Sequence, residues 1–164
     1  MYLVECKPDT VLVQSLTRAS RKNIQHAGNK SELLKKLTEH YSDSKGVIDE
    51  DPWSIQPPHM QKFKEKQNLT SFGLKVLHQT SKNNTLIVLC PRLEEWILEA
   101  AREANVDPQK YNLPNDSVKL HQQINIQIDK FQRLVEKLKT KSNRVKKLAS
   151  GLQVDFGSYP NIVI

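Results

Sequence analysis

Five carboxylates in this chain, Glu5, Asp9, Asp49, Asp51 and Glu94, sit at expected junctions between strands and helices. Like charges gathered at one place repel unless a cation or protons offset them. An oxygen-rich donor set, poor in nitrogen and thiol, selects Mg²⁺ or Mn²⁺ over zinc or copper. Mg²⁺ held by a few carboxylates keeps some of its waters and takes phosphate oxygens as further ligands, which suits phosphodiester and phosphoryl chemistry. The centre of the set is Val47-Ile48-Asp49-Glu50-Asp51-Pro52, an apolar run that ends in three acids and a proline. Pro52 prevents that run from continuing as a central strand. On an extended backbone Asp49 and Asp51 are expected to point the same way, with Glu50 on the other side. A DxD after a strand is also a common solvated turn, so the surrounding elements must decide between turn and site.

Tyr2 to Cys6 reads as a first strand, stopped at Lys7-Pro8; Asp9 then reads as the N-cap of a helix carried by Val11, Leu12, Leu16 and Ala19, ending near Arg21-Lys22. Asn23 to Ala27 is the second strand candidate. Gly28 suits a sharp corner, Asn29 and Glu32 have capping-box spacing, and Leu33, Leu34 and Leu37 predict a helix to about His40. The acid stretch is the third strand. Strand, helix, strand, helix, strand implies right-handed crossovers and a largely parallel sheet, whose ligands gather beyond the carboxyl ends of the strands. Glu5, the Gly28-Asn29-Lys30 corner and Asp49 with Asp51 all fall at that edge. Lys30, at a helix N-terminus, is placed to neutralise a phosphate.

Residues 53–73 sustain no period and read as a loop or lid over the edge, or as a surface insertion, with a short helix expected near Met60 to Lys66. Leu74 to His78 and Thr85 to Cys90 read as strands joined by a polar hairpin connection. Pro91 is expected to open a helix at its first position, with Leu93, Trp96, Ile97, Ala100, Ala101 and Ala104 on its apolar side. Glu94 in its first turn answers the helix dipole or joins the acid edge. His26 and His59 are the histidines expected near the edge, as surface or packing residues, and Cys6 and Cys90 are expected to be buried, reduced thiols.

Leu120, Ile124, Ile128, Phe131, Leu134, Val135, Leu138, Val145 and Leu148 form a stripe close to coiled-coil period and predict a long C-terminal helical region. Between Lys130 and Lys147 there are eight Lys or Arg and one Glu. With a formal charge of +7, this basic face makes Lys137, Lys139, Lys141, Arg144, Lys146 and Lys147 candidate contacts to nucleic acid, DNA or RNA, or else a solvated helix face. The stripe itself either packs on the sheet or pairs with a second copy as a homodimer. The tail from Gly151 to Ile164 ends apolar and is expected to add an edge strand. No apolar run is long enough to cross a bilayer and the N-terminus lacks signal-peptide organisation, so the expectation is a cytoplasmic protein without membrane contact. The expected organisation is an α/β domain over 1–112, three-layered around a mostly parallel sheet and carrying the 53–73 insertion, with a basic helical extension over 113–164 packed on it.

The Glu that closes the first strand (Leu3-Val4-Glu5), the acid four residues on (Asp9), the Gly28-Asn29-Lys30 corner and the Asp49-Glu50-Asp51 motif together resemble the TOPRIM fold. Leu93-Glu94-Glu95-Trp96 is similar to the later Glu-bearing helix of OLD-type nucleases. Over about residues 2–104 the resemblance implies a metal-dependent active site that cuts or rejoins nucleic-acid backbones. It implies Glu5 as general acid, general base or metal ligand, and Asp49 and Asp51 as Mg²⁺ ligands. The family commonly has Gly where this chain has Cys6, and the ATPase loop of OLD-type enzymes, GxxxxGK[ST], has no counterpart here. Three readings follow: a Mg²⁺-dependent nuclease or related phosphotransfer enzyme, a non-catalytic nucleic-acid-binding or regulatory module, and an oligomerising structural protein.

Overall fold

Short apolar strands alternating with amphipathic helices fold, in the computed structural model, into an α/β arrangement described over residues 1–153. Six strands, β1 (Tyr2–Val4), β2 (Ile24–His26), β3 (Lys45–Asp49), β4 (Lys64–Leu69), β5 (Leu74–Gln79) and β6 (Asn84–Leu89), form one sheet in the order β2-β1-β3-β6-β5-β4. β2, β1, β3 and β6 are parallel neighbours, β5 runs antiparallel to β6, and β4 runs antiparallel to β5. The helices are α1 (Lys7–Thr17), α2 (Lys30–His40), α3 (Leu93–Glu103), α4 (Ser117–Gln123), α5 (Ile128–Lys141) and α6 (Asn143–Gln153).

The central strands are apolar on both faces because both faces are covered. Val4, Val47, Ile87 and Leu89 point into a core shared with Leu12 and Leu16 of α1 and with α3, α5 and α6, while Leu3, Ile48, Leu86 and Val88 point the other way, against Leu33, Leu34 and Leu37 of α2. α2 lies close to the sheet because Gly46 has no side chain: a Cβ there would sit 3.0 Å from the Cδ2 atoms of Leu33 and Leu37. The chain leaves β1 for β2 over one face and returns from β2 to β3 over the other. The strand order therefore reverses at β1 and β3, the topological switch point at which such sheets bind ligands.

Several local expectations change. Cys6, not Asp9, is the N-cap of α1, and Asp9 is the N3 residue of a capping box; Pro8 fits inside the first turn because the early amides of a helix need no intrahelical acceptor. α1 ends at Thr17, and Arg21–Asn23 form a separate 3-10 turn. Pro91 stands before α3, whose N-cap is Arg92. The stretch read as a lid contains a 3-10 turn, Pro58–Lys62, and then β4, an edge strand rather than a loop or helix. Lys64-Glu65-Lys66-Gln67-Asn68 is exposed residue after residue, so no alternation marks it as a strand.

The long C-terminal helical region consists of α4, α5 and α6. Ser142 interrupts it: its backbone is extended, and its Oγ accepts a hydrogen bond from Val145 N at 3.2 Å, as an N-cap does. The apolar stripe of α5, Phe131, Leu134, Val135 and Leu138, is fully buried in the core that includes Leu12 and Leu16 of α1. Of the two arrangements expected for the stripe, packing within the chain is the one found, in the core with Val4, Val47 and Ile87 of the sheet. Gly151 to Gln153 are helical, and the edge strand expected from the remaining tail, 154–164, lies outside the described residues.

Asn84, fully buried at the start of β6, fastens α2 to the sheet: its Nδ2 lies 2.8 Å from Leu37 O and 2.9 Å from Tyr41 O, and its Oδ1 accepts from Ser44 N at 3.0 Å. Asn84→Ala leaves those buried groups without partners and is expected to destabilise the protein by about 2–3 kcal/mol in urea unfolding. A loss under about 0.5 kcal/mol would mean that these groups find other partners.

Candidate active site

The switch point gathers the acids. β1 and β3 pair in register, Val4 opposite Val47, so Glu5 just beyond β1 and Asp49 at the end of β3 emerge side by side. Asp49 N donates to Glu5 Oε2 at 3.0 Å, and Asp49 Oδ1 accepts from Leu93 N at 3.0 Å. Asp49 thereby caps α3, for which Arg92 supplies no side-chain cap. Asp9 Oδ2 accepts from Cys6 N at 3.2 Å and from Cys6 Sγ at 3.0 Å. Glu94 is buried in the first turn of α3, with its Oε1 2.8 Å from His121 Nδ1 on α4. Lys30 is the first residue of α2, and its Nζ lies 3.0 Å from Glu50 O and 3.5 Å from Asp51 Oδ2.

The pairing of Asp49 with Asp51 differs from the strand expectation. β3 ends at Asp49, and Asp51 adopts φ +45°, a left-handed conformation that Asp tolerates better than most residues. Strand alternation therefore does not carry Asp51 to the side of Asp49. Glu50 faces elsewhere, as expected: it pairs with Lys75 at 2.6 Å and lines a cavity of about 430 Å³ with Ile48, Met60, Leu77 and Val88, on the α2 side of the sheet.

Electrostatics tie the set together. Burial pushes the Asp49 carboxyl up to about 8, and repulsion from Asp9, Glu5, Glu94 and Asp51 adds to it. Burial likewise raises Asp9 to about 7 against the opposing hydrogen bond from Cys6, with Glu5 and Glu94 contributing repulsion. Glu5 is also raised, chiefly by burial; the Asp49 N–H and Lys30 act in the other direction. Burial and the charge of Asp9 hold the Cys6 thiol well above its ordinary range, so it stays protonated as a donor to Asp9.

The donor chemistry fits a hard divalent cation through its carboxylate oxygens, while the Cys6 thiol, protonated and donating to Asp9, is no ligand for such an ion. The arrangement is not a closed coordination sphere, since no three His, Cys, Asp or Glu among the described residues are disposed to hold a metal together. Each of Glu5, Asp9 and Asp49 engages a backbone N–H through one carboxylate oxygen, Oε2, Oδ2 and Oδ1 respectively.

The candidate basic residues are not gathered here. Lys139 Nζ donates to Ser15 O at 3.1 Å, six residues and about 9 Å along α1 from Asp9. Arg144 pairs with Glu103 at the far end of α3 from Glu94, and Lys147 lies over the ring of Phe72 at 5.6 Å. Lys137, Lys141 and Lys146 are exposed. His26 stands exposed at the carboxyl end of β2, opposite Val4, a surface residue at the edge as expected, whereas His59 pairs with Glu39 near the far end of α2; the histidine that touches an acid of the set is His121, against Glu94, a contact that sequence reasoning missed. Its only signal is its place on a helix that follows α3. Both cysteines are free and half-buried. No helix among the described residues is long and apolar enough to cross a membrane. No family model, curated protein or solved structure matches this chain.

In the absence of divalent metal, unfolded Asp9 and Asp49 titrate near 3.8 whereas the folded protein holds their protons to about 7 and about 8. The unfolded state therefore binds fewer protons in that window, and the stability these groups contribute is full below about pH 4 and lost as pH rises towards 8. In EDTA, Tm at about pH 8 is expected to fall below that at about pH 5, and Asp49→Asn to flatten the slope. Mg²⁺ should raise Tm more at the higher pH, because metal and protons compete for the same oxygens. Scanning fluorimetry that finds one Mg²⁺ effect at both pH values would remove the metal from this edge.

Proposed function

We propose that this chain is a Mg²⁺- or Mn²⁺-dependent nuclease or related phosphodiester-transfer enzyme with a TOPRIM-like site. The observation that supports it is the gathering of four carboxylates at the β1/β3 switch point, Asp9 and Glu94 buried and Glu5 and Asp49 half-buried, close enough for Asp9, Glu5 and Glu94 to repel Asp49. Asp49, Asp9 and Glu5 would hold the metal, with Asp51 and Glu94 at its border; when bound, it supplies Lewis acidity at a phosphoryl oxygen. Glu5 has one oxygen on the Asp49 N–H and a second to take the proton of an attacking water, and its raised pKa suits a general base. The Lys30 ammonium, beside Asp51, faces the charge that develops on the phosphoryl oxygens. Hydrolysis then forms a bond from phosphorus to the water oxygen and breaks that to the leaving sugar oxygen, which is protonated from solvent.

A second reading, a cation-regulated nucleic-acid-binding module without turnover, is favoured by the open ligand geometry and by the work of Asp49 as a helix cap. Asn can accept the same Leu93 N–H bond, so Asp49→Asn with Asp51→Asn preserves the cap while removing charge. The double variant is expected to lose Mn²⁺-dependent cleavage of DNA and RNA by at least about a hundredfold. A wild-type protein that binds Mn²⁺ in calorimetry but cleaves nothing decides for the second reading.

The basic helices make a separate prediction. Changing the exposed Lys137, Lys141 and Lys146 to Ala should weaken nucleic-acid binding and reduce the slope of log affinity against log salt by up to about one per lysine. Changing Lys139 or Arg144 should instead lower Tm, because each fastens one helix to another. An unchanged salt slope takes α5 and α6 out of the nucleic-acid interface.

A further inference from the structure

The chain beyond β3 closes a short loop with its own hydrogen bonds. Ser54 N donates to Asp51 O at 2.9 Å, and Gln56 Nε2 lies 3.2, 3.0 and 3.1 Å from the carbonyl oxygens of Glu50, Asp51 and Ser54. This fixed loop holds two apolar side chains outward, Trp53 at 64% exposure and Ile55 at 99%. Arg92, the N-cap of α3, places its guanidinium 5.3 Å above the Trp53 ring, and its Nε and Nη2 are in turn held by Glu95. One face of the indole is thus backed by a cation that is itself anchored. With most of the residue exposed, the other face is open, two positions along the chain from Asp51.

An apolar ring displayed on a preorganised loop loses contact with water only when a ligand covers it, and little ordering is then needed. The surroundings say which ligand. Lys30 and Arg92 are cations beside an acid edge suited to a metal-bound phosphodiester, in a chain of charge +7. A flat π face beside such groups fits a nucleobase joined to a phosphate. Paired bases hide their faces in the stack, whereas unpaired bases offer them. We propose that Trp53, backed by Arg92, stacks on an unpaired base of a single-stranded polynucleotide and sets the adjoining phosphodiester at the acid edge. The inference rests on the nucleic-acid reading above and names its substrate as single-stranded.

Intrinsic fluorescence isolates the site, because the other tryptophan, Trp96, is 0% exposed. The whole chain is titrated in Ca²⁺ with oligo(dT), with oligo(rU), and with the oligo(dA)·oligo(dT) duplex. Either single strand is expected to quench Trp53, and the duplex to do so weakly. Read by anisotropy of 5′-fluorescein-labelled oligo(dT), which needs no tryptophan, Trp53→Ala should lower single-strand affinity about tenfold, as loss of one stacked base does, and Trp53→Phe should restore most of it. The proposal is overturned if Trp53→Ala binds the single strands as tightly as wild type, or if the duplex quenches equally. It is also overturned if no oligonucleotide quenches, the result expected of an apolar protein partner on this loop. Cleavage without any role for Trp53 defeats the stacking site alone, and quenching without cleavage defeats the hydrolytic reading alone.

Discussion

Carboxylates that repel one another are buried at the one edge of the sheet where the topology leaves room for a ligand, and the local structure answers that repulsion. β1 and β3 are neighbours, so Glu5 and Asp49 have no choice but to emerge together. The amides that meet them come from the same corner: Asp49 N–H to Glu5, Leu93 N–H to Asp49, and Cys6 N–H to Asp9. Two of these are amides at helix N-termini, where the partial positive charge of the dipole favours an anion. The hydrophobic cores on the two faces of the sheet stabilise an arrangement that the charges alone would open. Even so, burial and repulsion leave Asp9 and Asp49 with protons that ordinary carboxyls would have lost.

What could be read from the residues follows what each pattern physically encodes. A strand covered on both faces is an apolar run, so β3 and β6 were legible, the buried Leu74 and Val76 beside half-exposed Lys75 and Leu77 marked β5, and the polar connection between β5 and β6 marked their antiparallel pairing. β4 was not legible because an edge strand with both faces in water carries no hydrophobic pattern. The acid edge was legible in outline, since strand ends follow from strand assignments. Its detail was not: the DxD motif carries no sign of the left-handed backbone at Asp51, and the capping of α3 by Asp49 joins residues 44 positions apart in sequence. His121 reaches Glu94 only because α4 folds back beside α3, a contact with no local signature.

The C-terminal helices make the same point about partners. The stripe from Phe131 to Leu138 announces a buried face, and periodicity is silent on what buries it; here it is α1. The basic residues beside the stripe are divided. Lys139 and Arg144 are used in joining α5 and α6 to α1 and α3, while Lys137, Lys141 and Lys146 remain in water. A count of charges therefore overstates the cationic surface that a polyanion would meet.

The capping role of Asp49 would explain its presence were it not for its neighbours. Serine or asparagine caps a helix about as well as aspartate, and either would do so without charge. In an exposed cap the difference is small. At this corner an uncharged cap would remove the repulsion with Asp9, Glu5 and Glu94 at no loss of the Leu93 hydrogen bond. Asp9 poses the same question, because a capping box works with an uncharged glutamine in its third position. Two positions that neutral residues could fill instead hold acids, Asp9 buried and Asp49 half-buried, each with its pKa raised by burial and by neighbouring carboxylates, at the switch point of a parallel sheet. Structural need accounts for the hydrogen bonds at both positions, and it does not account for the choice of an acid over a neutral residue.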